Sequence, residues 1–175
     1  WDHATGVARQ ALPLLGASVT AVPKLAGEPE TPAEVAAWLD SLPWRENAWR
    51  AGSIIGGFMA RHRARCGLLE SSVEDDLSRA VMDQLEARQD PATGLWGPDR
   101  GCPLYQAAAG LHCMSCGTYY LPCRPLPRPE RIIDSVLALQ QADGNFGTGG
   151  ACLNYDSVKV LASAARYTEH RRPEA

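Results

Sequence analysis

The sequence has little of what marks several common protein classes. Aromatic residues make up 7% of the 175 residues, which leaves few rings to line a pocket for a carbocation. The formal net charge of -3 provides no basic surface for nucleic acid, so we expect none as a partner. The longest uncharged stretches, such as 107–123, contain glycine, histidine, serine and proline. Such stretches predict buried helix and no membrane span.

Other absences concern processing and the cell compartment. No N-terminal signal segment is visible, although a chain that opens on Trp1 without methionine is expected to be a fragment or a processed product. The six cysteines are spread over helical segments, which favours reduced core thiols over a disulfide scaffold. We therefore expect a cytoplasmic protein. Its length suits a single domain over 1–175.

What the sequence does contain is a repeat. The segment 140–147 (QQADGNFG) resembles 89–97 (QDPATGLWG), and their final glycines, Gly97 and Gly147, lie 50 positions apart. A weaker copy places Trp44 52 positions before Trp96. Each copy separates two helix-like segments, so the pattern predicts helical hairpins of about 50 residues with joints near 44, 96 and 146.

Periodicity and capping signals divide the chain into predicted helices and show no strand. A capping box opens one helix at Thr31, and Ser72 is the predicted N-cap of another. Helices that start at 47, 103 and 152 are rich in small residues and are expected to form an inner layer. The amphipathic helices are expected to be outer. The predicted helices span 1–18, 31–42, 47–66, 72–88, 103–120, 129–139 and 152–168.

Over residues 31–168 this organisation resembles the α/α-toroid families, above all the terpenoid-cyclase and protein-prenyltransferase group. In that group a segment Gln-x-x-Asp-Gly-x-aromatic-Gly joins an outer helix to an inner one, and 140–147 fits it fully. The resemblance implies an all-α toroid or a partial toroid arc, because a full ring needs more hairpins than this chain has. The chain is then part of a larger enzyme, an open arc or a subunit of a homo-oligomer.

Departures from these families bear on function. Prenyltransferase β-subunits bind zinc through an Asp-x-Cys pair where this chain has 153–156 (LNYD), so that zinc site does not carry over. The Asp-x-Asp-Asp proton donor of hopene cyclases is absent as well. Carbohydrate enzymes also use helical-hairpin toroids. Both isoprenoid-like and carbohydrate-like substrates therefore remain open.

The last inner helix places Cys152, Asp156, Lys159 and Ser163 on one face. A carboxylate and an ammonium there would act as acid and base or hold a polar ligand, with Cys152 and Asn154 as ligand-binding residues. The alternative is an Asp156–Lys159 salt bridge on a solvated face.

The preceding inner helix carries Tyr105, His112, Cys116 and Tyr119 as a similar stripe. A histidine between two tyrosines suits proton transfer. A hydrogen-bonded core histidine is the alternative. The predicted catalytic set is therefore His112, Asp156, Lys159, Tyr105 and Tyr119.

Two further groups are weaker candidates. Four cysteines in the spacing C-x10-C-x2-C-x6-C are a possible structural zinc site, although buried free thiols fit their apolar context better. Otherwise no cofactor is predicted. Polar residues in the predicted loops would bind a carboxylate or phosphate, with ordinary surface charge as the alternative. The cysteines are Cys102, Cys113, Cys116 and Cys123, and the loop residues are Asp2, His3, Arg45, Asn47 and Arg50.

Two functions follow as hypotheses. The first is a toroid domain with a polar cavity at the mouth of the inner helices that acts on or binds a small isoprenoid-like or carbohydrate-like molecule. The second is a non-catalytic helical-repeat module that binds a protein partner or completes a ring by oligomerisation. Convergence of the inner-face residues in one cavity favours the first, whereas an open concave surface favours the second.

Overall fold

A computed structural model describes residues 24–68, 71–120, 124–147 and 150–171. These residues are helical, apart from turns and one isolated bridge between Gln140 and Phe146, which confirms the predicted all-α class. The helix predicted over 1–18 lies outside the described residues. The α-helices are α1 (Val35–Asp40), α2 (Trp44–Arg65), α3 (Asp76–Ala87), α4 (Leu104–Ser115), α5 (Pro129–Leu137) and α6 (Gly150–Ala164), and short 3-10 helices span Pro32–Glu34 and Pro98–Arg100.

The start of α3 differs from the prediction. Asp75, and not Ser72, is the N-cap, because its Oδ1 accepts the backbone N–H of Ser78 at 2.7 Å. The segment before Asp75 binds Arg63 instead of extending the helix. The guanidinium of buried Arg63 donates hydrogen bonds to backbone carbonyls of this segment, including those of Ser71 and Val73. Since these carbonyls are engaged with Arg63, residues 71–74 stay non-helical.

The helices rich in small residues also begin and end at other residues than predicted. Helix α2 starts at Trp44 with a kink at Asn47, whose φ of -161° and ψ of 80° are non-helical. Helix α4 ends at Ser115, five residues before the predicted end at Tyr120. The N–H of Tyr120 bonds back to the carbonyl of Ser115 at 2.9 Å, so the chain turns there. Helix α6 spans 150–164 instead of 152–168.

The helices rich in small residues form one row, in which α4 packs between α2 and α6. Gly52 faces Gly110, and Gly56 faces Cys113, so α2 and α4 run parallel. Helices α1 and α3 pack on each other, and α5 packs on α6 and α4. Consecutive hairpins therefore lie side by side, while closure of the stack into a ring stays a prediction. No helix in the described ranges is long and apolar enough to cross a membrane.

The hairpin joints near 44 and 96 share a hydrogen bond from a tryptophan indole to the preceding helix. The indole N–H of Trp44 donates to the carbonyl of Leu39, and that of Trp96 donates to the carbonyl of Leu85, both at 2.7 Å. Trp44 is the first residue of α2, whereas Trp96 lies in the joint before α4, so each bond ties a joint to the helix that precedes it. Positive φ recurs 50 residues apart, at Gly94 (70°) and Gly144 (85°), a backbone region that glycine enters without steric cost.

Candidate functional site

A cavity of about 890 Å³ is lined by residues of α2, α4 and α6. Each of these three helices contributes lining residues, and the turn after α4 contributes two more. This brings together residues that lie far apart in the sequence. The described lining residues are Trp49, Ser53, His112, Cys113, Cys116, Tyr120, Ala151, Cys152, Tyr155, Asp156 and Lys159.

The parallel arrangement explains why these residues meet. Ser53, His112 and Asp156 each lie roughly two turns in from the first residue of their helix. Close packing of α2 on α4 is possible because small residues fill the contact between them. The sequence predicted the site at the N-termini of these helices, whereas the structure places it about two turns further along them.

His112 and Asp156 form the polar centre of the cavity. The Nε2 atom of His112 lies 3.6 Å from Oδ1 of Asp156, and both side chains are 8% exposed. The two predicted residues therefore face each other across the α4–α6 contact. A buried carboxyl beside an imidazole is an arrangement that can pass a proton.

Burial raises the pKa of the Asp156 carboxyl from 3.8 to about 6. Loss of hydration is the cause, because it penalises the charged carboxylate more than the neutral acid. This carboxyl therefore exchanges its proton near neutral pH, where an ordinary aspartate is almost fully ionised.

The other imidazole nitrogen is held by Tyr120, whose hydroxyl lies 3.0 Å from Nδ1 of His112. Burial raises the pKa of the Tyr120 phenol, so the hydroxyl keeps its proton at neutral pH. A protonated hydroxyl donates to Nδ1 or accepts from it, depending on the tautomer of His112. In the tautomer with the proton on Nδ1, Nε2 is the basic nitrogen and faces Asp156. Tyr120 also contacts Lys159, whose Nζ lies 5.8 Å from the ring centroid.

Cys116 lies near the same imidazole but is poorly suited to act as a nucleophile. Its Sγ is 4.0 Å from Nε2 of His112, the atom that also faces Asp156. Burial raises the pKa of the Cys116 thiol to about 11. Because the thiolate is the reactive species, nucleophilic catalysis by Cys116 is disfavoured.

Aromatic rings provide the apolar part of the lining. Trp49 comes from α2, and Tyr155 from α6 lies edge-on to His112 with ring centroids 5.3 Å apart and an interplanar angle of 88°. Tyr155 is 59% exposed. The described part of the cavity therefore combines one carboxyl, one imidazole and one ammonium with three aromatic rings.

The two tyrosines predicted beside His112 lie elsewhere. Tyr119 is buried in the core, with its ring centroid 5.9 Å from that of Trp96, and does not line the cavity. Tyr105 is half-buried, and its hydroxyl accepts a hydrogen bond from Gln106 at 3.3 Å. Helical spacing placed Tyr119 on the His112 face, but α4 has ended by then and the turn presents Tyr120 instead.

The predicted ligand-binding residues also separate. Cys152 lines the cavity, whereas Asn154 is built into the 146 joint, where its Oδ1 accepts the N–H of Phe146 at 2.8 Å. Asn47 accepts the backbone N–H of Arg50 at 2.9 Å and so caps the main part of α2. Arg45, Asn47 and Arg50 are exposed and do not line this cavity. Asp2 and His3 lie outside the described residues.

The four-cysteine zinc site does not assemble among the cysteines that the structure describes. Cys113 and Cys116 line the cavity, whereas Cys102 lies in the turn before α4 with its thiol 3.6 Å from Oε1 of Gln106. Cys123 lies outside the described residues.

Five of the described cavity residues were not among the sequence predictions: Trp49, Ser53, Tyr120, Ala151 and Tyr155. Trp49 and Ser53 lie four residues apart and therefore share a helix face, but only the position of α4 shows that this face is the cavity side. Tyr155 directly precedes Asp156 in the sequence. The prediction considered residues on one narrow face of the helix, and adjacent residues do not share such a face. The cavity is wide enough for both residues to line it.

Comparison with known proteins finds nothing similar: no protein-family model, no curated protein and no solved structure matches this chain. A functional proposal therefore depends on the geometry of the site alone.

Proposed function

We propose that this chain is an α/α-toroid-like domain that catalyses proton transfer on a small, largely apolar, isoprenoid-like molecule, with Asp156 as general acid and base. The observation that carries the proposal is the Asp156–His112 pair, 3.6 Å apart and largely buried in the wall of an open cavity. His112 is the proton-exchange partner of Asp156. Tyr120 is a positioning residue that orients the imidazole.

The protonation behaviour of Asp156 supports this role. With a pKa of about 6, the acid and its conjugate base are both populated near neutral pH. Proton transfer is most effective when the catalytic group has a pKa near the working pH. In the tautomer with the proton on Nδ1, Nε2 of His112 would take up a proton from solvent and pass it to the Asp156 carboxylate after each turnover, because this atom faces the carboxyl.

The lining residues favour an isoprenoid-like substrate over a carbohydrate-like one. Hydrolysis of a glycosidic bond generally uses two carboxyl groups that flank the bond, and the described lining has only that of Asp156. The rings of Trp49, Tyr120 and Tyr155 present π-faces, which stabilise positive charge that develops on a protonated hydrocarbon. The volume of about 890 Å³ is within the range of small-molecule pockets. Lys159 is exposed at the cavity and would attract an anionic head group.

Deuterium transfer tests this proposal directly. The protein is incubated in D2O with linear isoprenoid hydrocarbons and diphosphates of increasing chain length, and the products are analysed by mass spectrometry. We expect one added deuteron in the product, and a loss of at least about 100-fold in Asp156→Asn. Asp76→Asn is the matched control, because its carboxyl is 86% exposed and lies outside the cavity. Turnover by Asp156→Asn at the wild-type rate would refute the role of Asp156.

A second candidate function is completion of a ring by self-association. Tyr155 and Val158 are 59% and 54% exposed, and their spacing of three residues on α6 joins them into one exposed apolar patch. Native mass spectrometry of the wild type and of Val158→Glu tests this alternative. A wild-type dimer that becomes a monomer in Val158→Glu would favour it, whereas a wild-type monomer would count against it.

A further inference from the structure

A second polar cluster lies where α2 ends and α3 begins, well away from the cavity. It consists of His62 on α2, Cys66 directly after α2 and the α3 N-cap Asp75. The imidazole Nε2, the thiol Sγ and a carboxylate oxygen all lie within 4.8 Å of one another. Nothing in the proposed proton transfer uses these three residues.

We propose that His62, Cys66 and Asp75 form a binding site for a divalent transition metal ion, with zinc as the best-matched ion. An imidazole, a thiolate and a carboxylate are the three ligand types that zinc takes in proteins. The two negative ligands would neutralise the charge of the ion. A water molecule or a ligand from another molecule would complete a tetrahedron.

The distances between the ligand atoms are close to those of a coordination tetrahedron. Zinc bonds of roughly 2.0 Å to nitrogen or oxygen and 2.3 Å to sulfur imply tetrahedral edges of roughly 3.3 to 3.7 Å. The Nε2–Sγ separation of His62 and Cys66 is 3.8 Å, which already matches such an edge. Nε2 of His62 and Oδ2 of Asp75 are 2.6 Å apart and hydrogen-bonded, so they need to separate by roughly 0.7 Å.

Local backbone structure positions all three ligands independently of any ion. His62 and Cys66 lie four residues apart at the end of α2, the spacing that places two side chains on one helix face. The second carboxylate oxygen of Asp75 accepts the N–H of Ser78 at 2.7 Å, which orients Oδ2 towards His62. Hydrogen bonds of this kind commonly position the ligands of metal sites.

The cluster is also accessible. Cys66 is exposed, and the Asp75 side chain is 31% exposed, so an ion could enter from solvent. His62 is 12% exposed, and its ring stacks on Phe58 with centroids 5.8 Å apart. His62 lies nine residues after Ser53, a distance of roughly 13 Å along the helix axis. The ion would therefore cross-link α2 to α3 and would not contact a substrate in the cavity.

Titration with Co2+ and Zn2+ tests the site on the whole chain. Tetrahedral Co2+ with one thiolate gives a sulfur-to-metal charge-transfer band in the near ultraviolet together with visible d–d bands. We expect one Co2+ per chain with both features, displacement by Zn2+, and a rise in Tm on Zn2+ binding, because the ion binds the folded state.

Three variants and one control identify the ligands. Cys66→Ser should abolish the charge-transfer band, and His62→Gln should weaken Zn2+ affinity by more than about tenfold. Asp75→Asn should also weaken it while preserving the N-cap, because asparagine caps as well as aspartate. Cys152→Ser is the control, since Cys152 is likewise exposed but lines the cavity, and it should leave the spectrum unchanged. Absence of Co2+ binding, or a band that survives Cys66→Ser, would overturn the proposal.

Discussion

Gly52 and Gly110 bring the backbones of α2 and α4 into direct contact. A Cβ atom on Gly52 would lie 2.0 Å from the carbonyl oxygen of Gly110, and one on Gly110 would lie 2.4 Å from the carbonyl oxygen of Ala48. Because both obstacles are backbone atoms of packed helices, no side-chain rotation relieves them. The position of His112 relative to α2 depends on this contact.

We expect Gly52→Ala to destabilise the protein by at least about 2 kcal/mol, because α2 and α4 must move apart to admit the methyl group. Gly57→Ala on the same helix is the matched control. There the added Cβ meets only Nη1 of Arg61, at 3.0 Å, while Nε and Nη2 of that guanidinium bond to Glu28. The control should change stability by less than about 1 kcal/mol, since the helix preference of alanine over glycine offsets a small shift of Arg61. Urea unfolding measures both, and equal effects of the two variants would contradict the packing argument.

Asp156→Asn should stabilise the protein at neutral pH even as it removes the proposed acid. The folded-state pKa of about 6 exceeds the ordinary 3.8, so between these values the folded chain binds more protons than the unfolded chain. The free energy of unfolding of the wild type therefore falls as pH rises from about 4 to 6. The expected gain is at most about 3 kcal/mol at pH 7 and disappears below about pH 4.

The measurement is the thermal unfolding of the wild type and of Asp156→Asn between about pH 3 and pH 8. This range spans the unfolded-state and folded-state pKa values of Asp156. A Tm difference between wild type and Asp156→Asn that does not change with pH would show that burial of this carboxyl carries no ionisation penalty. Asp76→Asn serves again as control, because its carboxyl is exposed.

The sequence predicted the all-α class and its helix order because both depend on local patterns. The amphipathic stripes, the proline and glycine stops and the paired joints each lie within a few residues of the element they define. Asp156 and His112 were also identified from single helices. Their mutual position was not, since it depends on how closely α4 approaches α6.

Arg124 joins the connector after α4 to helix α3 and the segment before it. It makes two hydrogen bonds of 2.8 Å to the Glu74 carboxylate, and it also pairs with Asp83 at 2.7 Å and Glu86 at 3.2 Å. These carboxylates raise the pKa of the Arg124 guanidinium, against the opposing effect of burial.

Arg124→Met should cost about 1.5 to 3 kcal/mol of stability, because three neighbouring carboxylates lose their shared cation. The exposed Arg79–Asp76 pair, with side chains 52% and 86% exposed, is the comparison. Arg79→Met should change stability by less than about 1 kcal/mol. The denaturant guanidinium chloride is a salt and would screen these ion pairs, so unfolding should be measured in urea. A loss for Arg124→Met no larger than that for Arg79→Met would contradict this role.

The errors in the sequence predictions have a common physical origin. Tyr119 was assigned to the cavity by extending α4 through 120, but the backbone turns at Ser115 and presents Tyr120 instead. Ser72 was assigned as a cap by residue type, whereas the carbonyls of 71 and 73 bind Arg63. In each case a contact between distant parts of the chain overrode a local preference.

The packing of α2, α4 and α6 also determines at what stage of synthesis the site can form. Contacts run mainly between neighbouring hairpins, so the early part of the chain can pack before the late part is made. His112 and Asp156 belong to successive hairpins, and they meet only once α6 has docked on α4. During synthesis the pair would therefore be incomplete until α6 leaves the ribosome, and a product stalled before α6 would carry the imidazole without its carboxyl partner.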